Sequence, residues 1–193
     1  MEYILIFISA VFINNVVLSQ ILGICPFLGV SKKIDTAVGM GMAVTFVMAI
    51  ATTATFLLMQ YILIPLKIEF MQTLSFILVI AALVQMVEMV LKKVSPSLYQ
   101  SLGIFLPLIT VNCVVLGAAI LVTQHDIYKN SLLLSVFYAI ATAIGFALAL
   151  VIFAGIREQL NLVNIPKALK GMPIALIVAG ILAMVFMGFT GIV

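Results

Sequence analysis

Cys25 and Cys113 are the only thiols in this 193-residue chain, and each stands where a helix would be interrupted. Cys25 lies in Leu22-Gly-Ile-Cys-Pro-Phe-Leu-Gly29, flanked by Gly23, Pro26 and Gly29. Cys113 follows Asn112, about one and a half helical turns after Pro107. Proline removes a backbone donor and clashes with the preceding turn, so it kinks or ends a helix. Three readings of the pair are open. Free cysteine is commonly a small buried hydrophobe. A disulfide would need an oxidising compartment, for which the chain offers no other sign. A metal site is the third, and two thiolates are half a set, because zinc or a binuclear iron–sulfur cluster takes four ligands. The only histidine, His125, falls in a loop and is a poor third ligand. The metal reading therefore asks for a second polypeptide, with the metal at the interface. Asn14, Asn15 and Asn112 are candidates to donate hydrogen bonds to such a centre. They serve equally as interhelical hydrogen-bonding groups. Glu88 offers an intramembrane carboxylate for a cation or proton, or an i, i+4 partner for Lys92.

The elements that must position these residues follow from composition. Hydrophobic residues make up 66% of the chain and charged residues 8%, with mean hydropathy +1.42. Soluble domains are about 25% charged, so this chain cannot cover itself with a hydrated surface. Six apolar runs, near 3–24, 37–64, 70–91, 98–122, 131–156 and 171–192, are each long enough to cross a hydrocarbon core of about 30 Å. Backbone groups in lipid must be satisfied within the segment or by barrel closure. The runs lack two-residue alternation, so they predict helices. The expected fold is an all-α polytopic membrane protein of six transmembrane helices, a single domain over 1–193. The first run is not expected to be a cleaved signal, since it opens on Glu2 and carries Asn14 and Asn15 at its middle.

Charge orients the spans. The loops after spans one, three and five hold Lys32, Lys33, Lys92, Lys93, Arg157, Lys167 and Lys170, whereas those after spans two and four hold Lys67 and Lys129. Basic loops stay in the cytoplasm, so both termini are expected to face outward. The net charge of +3 reflects this bias and gives no reason to expect nucleic acid as a partner. A repeat is also visible. Ile13-Asn-Asn-Val-Val-Leu18 matches Val111-Asn-Cys-Val-Val-Leu116 at an offset of 98 residues. Halves of about 1–96 and 97–193 would each hold three spans, and an odd number inverts the second half. The expectation is a three-plus-three inverted repeat with broken helices in spans one and four.

The stretches FINNVVLSQILGICPFLGVSKK and PLITVNCVVLGAAI resemble the RnfA/NqrE family, membrane subunits of the Rnf ferredoxin:NAD oxidoreductase and of the sodium-pumping NADH:quinone reductase. The resemblance runs along the whole chain and keeps both cysteines. It implies a component of a prokaryotic cell membrane, paired with an inverted homologue of the RnfE or NqrD type. Such a pair shares one intramembrane [2Fe-2S] cluster, for which the resemblance implies Cys25 and Cys113 as this chain's ligands. The complex passes electrons across the membrane and couples them to Na⁺ or H⁺ movement. An Rnf-type subunit is the leading expectation and the quinone-reductase counterpart the close alternative. A secondary transporter for a small solute is the rival of another class, and a purely structural anchor the third. No glycine-rich dinucleotide motif and no covalent-flavin motif is present. The chain is thus expected to bind neither nicotinamide nor flavin, and to hold no complete active site of its own.

Overall fold

The computed structural model describes residues 2–66, 69–94, 106–125, 131–163, 166 and 169–188. Among them there is no strand. Helix α1 (Glu2–Ile8) widens into a π-helical turn, Ser9–Ile13. After an irregular stretch, α2 spans Ile24–Val30. Helix α3 (Ile34–Leu58) continues through a second π-helical turn (Met59–Leu63) into Ile64–Leu66. A 3₁₀ turn (Glu69–Met71) leads into α4 (Gln72–Val94). Helices α5 (Leu106–Thr110) and α6 (Cys113–Gln124) form a second interrupted pair. Helices α7 (Leu132–Leu160) and α8 (Met172–Met187) complete the described elements.

Helices α3 and α7 make the most extensive packing interface, and α6 lies against both. Small residues let the two backbones close. A Cβ at Gly41 would stand 2.8 Å from Ala147 Cβ, so this crossing excludes any larger residue at Gly41. Threonines inside these helices turn their hydroxyls back onto their own carbonyls. Thr45 donates to Gly41 O, Thr55 to Ala51 O and Thr142 to Tyr138 O, each at 2.8 Å. These three hydroxyls thus find acceptors on their own helices in apolar surroundings. Phe146, Phe153, Met40, Met48 and Leu150 are fully buried between them. Large apolar residues such as Phe46, Phe70, Leu78 and Met184 remain exposed on the outer faces, as in helices that meet lipid rather than water.

Four segments are long and apolar enough to cross a bilayer, Ile34–Leu66, Gln72–Val90, Pro107–Gln124 and Leu132–Leu160. Tyr3–Ile13 and Met172–Met187 are apolar but shorter. The first run is interrupted, as expected for span one: helical structure ends at Ile13 and resumes at Ile24. The run 98–105 and the end of the sixth run lie outside the described residues, as do Lys67, Lys129 and Lys167. Helix α7 extends to Leu160, so the Arg157–Leu160 stretch continues the fifth expected span.

Candidate functional site

The first break begins where the π-helical turn runs out. Asn14 N–H closes onto Ser9 O at 2.7 Å, and the chain then leaves helical geometry. Asn15 stabilises the departure with three bonds. Its Oδ1 accepts from Val17 N–H at 3.1 Å, and its Nδ2 donates to Val11 O at 3.0 Å and to Gly145 O of α7 at 2.9 Å. The carboxamide is fully buried and has spent both donor hydrogens. Gly145 makes the approach possible, because a Cβ there would lie 3.1 Å from Val11 Cα. Further on, Ile21 (φ +58°) and Gly23 (φ +76°) both take left-handed backbone. That region strains a β-branched residue but suits glycine. Helix α2 starts directly afterwards, with Cys25 as its second residue and Pro26 as its third. Proline fits a first turn, whose amide has no intrahelical acceptor. Pro26 thus helps to open a helix, where its position in the sequence suggested the end of one.

The second break is much shorter. Helix α5 stops at Thr110, and Asn112 caps α6, its Oδ1 accepting from Val114 N–H at 3.1 Å. Cys113 is the first residue of α6. Asn112 is buried at 4% exposure, and its Nδ2 is the one buried side-chain polar atom without a hydrogen-bond partner among the described residues. The shared Oδ1-to-amide bond relates Asn15 to Asn112, an offset of 97, and Thr45 with Thr142 repeats that offset. The bonds thus match one residue away from the register suggested by sequence identity, which pairs Asn14 with Asn112.

The two breaks meet. A Cβ on Gly23 would overlap Val114 Cγ2 and stand 3.4 Å from Asn112 Oδ1. Gly23 lies two residues before Cys25, and Asn112 lies directly before Cys113. Both cysteines are free and exposed. Neither is the buried hydrophobe of the first reading, and neither forms a disulfide. Among the described residues no group of three or more His, Cys, Asp and Glu side chains is gathered for a metal. Two outward-facing thiols beside abutting helix starts would complete a four-ligand set only with groups from a second chain. Asn112 Nδ2, unpaired on the residue before Cys113, is a donor of the kind an anionic sulfur centre takes. In these respects the residues present fit half of a shared cluster site.

The other candidates lie elsewhere. Asn14 is exposed, with Nδ2 donating to Ser9 Oγ at 3.2 Å. It lines a cavity of about 390 Å³ with Ser9, His125 and Tyr138. Glu88 is half-buried on α4, in neither broken span. Sequence reasoning overlooks Arg157, counting it as a loop charge. The structure places it in the last turn of α7, with Nη1 donating to Leu28 O and Ser31 Oγ, each at 2.8 Å. Its guanidinium lies 5.8 Å from the centroid of Phe153, which stacks on Phe27 of α2 at 4.2 Å. The available sequence signal is that Arg157 is the only arginine beside eight lysines, at a site where a planar fork does what an ammonium cannot.

Residues 3–193 match the Rnf-Nqr family, described as an Rnf-Nqr subunit and membrane protein. A relative from Acetobacterium woodii, named as the A subunit of the Na(+)-translocating ferredoxin:NAD(+) oxidoreductase complex, is 56% identical over 191 residues, covering 99% of this chain and 98% of its own. The A subunit of an ion-translocating oxidoreductase complex from Syntrophotalea carbinolica is 58% identical, covering 98% and 96% of the two chains. One of the same name from Pseudoalteromonas translucida is 55% identical, covering 100% and 98%. With the family match running nearly end to end and relatives above half identity along their full length, this all-helical chain belongs to the Rnf-Nqr family of membrane subunits.

Proposed function

We propose that the chain is the RnfA-type membrane component of a redox-driven, ion-translocating Rnf complex, and that Cys25 and Cys113 supply half the ligands of a [2Fe-2S] cluster shared with an inverted homologous subunit. The observation that carries this reading is the meeting of two broken spans, each presenting an exposed, unpaired cysteine at a helix start. The names of the full-length relatives support the redox and ion-translocating parts. The cluster's contribution would be one-electron transfer at membrane depth.

This chain's residues would hold and tune it. The two thiols sit on helices that start at the breaks, where first-turn amides lack intrahelical partners and favour nearby negative charge. Asn112 is the donor of choice toward sulfur, because its Nδ2 is buried and unpaired. Asn15 instead secures the backbone around the first break, and Asn14 belongs to the cavity beside His125. The chain would lie in the prokaryotic cell membrane with both termini outward, among the other subunits of the complex, and would bind neither flavin nor nicotinamide itself. The complex would couple electron passage to Na⁺ or H⁺ movement, with Glu88 as a candidate on the ion path.

Co-purification with the homologous membrane partner, followed by iron and acid-labile sulfide analysis, tests the reading. About two irons per pair are expected, lost in both Cys25→Ser and Cys113→Ser while the pair still assembles. An iron-free wild-type pair that is otherwise intact would overturn the ligand assignment.

A further inference from the structure

Helix α2 is seven residues long, too short to persist on its own. Its N-terminal side is the strained stretch through Ile21 and Gly23, which gives it little local support. It packs on α3 and α5, where Thr36 of α3 donates to Val30 O at 3.1 Å, and two further fixed points are on α7. Phe27, 2% exposed, stacks on Phe153 at 17° between planes. Arg157 sits one helical turn beyond Phe153 and donates to Leu28 O and to the fully buried Ser31 Oγ, at the far end of the same short helix. Carbonyls in a last helical turn lack intrahelical donors, and a cation there also meets the negative end of the peptide dipoles. Leu28 is only three residues from Cys25, less than one turn. A clamp on Leu28 therefore sets the rotation and height of the turn carrying the thiol.

We infer that Arg157 is a positioning residue for Cys25: it caps α2 from the side and holds the cysteine-bearing turn in register with Cys113. This deepens the cluster reading and rests on it for its functional meaning, although the clamp itself can be measured without a cluster. Cys113 has no need of such a device, since Asn112 caps α6 locally and α6 runs for twelve residues.

The test uses the co-purified membrane complex with Arg157→Met, Arg157→Lys and wild type. The first readout is hydrogen exchange of residues 24–33 compared with residues 113–124. In Arg157→Met, exchange of the first segment should rise by roughly tenfold, while the second stays at the wild-type rate. The lysine variant should fall between, since it keeps the charge but not the fork. The second readout, on the loaded complex, is the cluster's midpoint potential and electron-paramagnetic-resonance line shape. Both should move in Arg157→Met and partly recover in Arg157→Lys. Unchanged exchange of residues 24–33 in an assembled Arg157→Met complex overturns the inference, as does an equal rise in both segments. If Arg157→Met does not assemble, Arg157→Lys decides by the same comparison of segments. A wild-type complex without iron would sink the cluster reading, yet the exchange data would still decide whether Arg157 clamps α2.

Discussion

The two broken spans present the same residue type by opposite means. The first break runs from Asn14 to Gly23, passes through two left-handed residues and depends on distant groups, Gly145 O for Asn15 and the Arg157 side chain for Leu28 and Ser31. The second occupies two residues, Val111 and Asn112, and is closed by a cap within its own turn. The first thus takes side-chain bonds from or to α7, and the second is capped by its own residue. One consequence concerns the asparagines. Asn15 has spent every hydrogen-bonding hydrogen on backbone, whereas Asn112 keeps a buried donor in reserve. A buried donor without a partner costs about 1–3 kcal/mol, so a group accepting from Asn112 Nδ2 would be favoured by about that amount.

Four substitutions sharpen this contrast, beyond the cysteine and arginine variants above. Gly23→Ala should have the largest effect, because the added methyl overlaps Val114 where the breaks meet and the left-handed backbone disfavours any Cβ. A loss of about 2 kcal/mol or more is expected, read as a drop in melting temperature and in assembled complex. Near-wild-type stability would mean that the breaks do not touch as described. Next come the paired variants Asn15→Ser and Asn112→Ser. The first should cost about 1–3 kcal/mol, since a serine cannot reach both Val11 O and Gly145 O. The second keeps an N-cap and should cost less than about 1 kcal/mol, while lowering the midpoint potential of the loaded complex through the lost amide donor. Equal destabilisation with no change in potential would remove the distinction between the asparagines. Ser31→Ala is the smallest, about 0.5 kcal/mol, because Arg157 retains Leu28 O. Its mark should be modestly faster exchange confined to residues 24–33.

Much of the fold was legible in advance. Uninterrupted apolar runs predict helices, and those at 37–64, 70–91 and 131–156 correspond closely to Ile34–Leu66, Gln72–Val94 and Leu132–Leu160. The presence of breaks near the cysteines was also legible, from Gly23, Pro26 and Pro107. Their placement was less so. Pro26 falls in the first turn of α2, where proline is accommodated, and the interruptions lie beside Asn15 and Asn112 instead. Asparagine breaks a helix by offering its own Oδ1 to a nearby amide, a competition whose winner depends on surroundings that a run of letters does not display.

By itself, then, the sequence determined the class of protein, the helical state of its apolar runs and the two thiols that could do chemistry. Those follow from local composition and from the cost of bare backbone in lipid. Only the tertiary structure decided that the two breaks abut, that Asn15 is committed while Asn112 is not, and that the lone arginine grips the helix bearing Cys25. Each of these joins residues about 90 to 130 positions apart. The partner of a buried donor is chosen by which backbone packing brings within about 3 Å, and that choice is made across the bundle rather than along the chain.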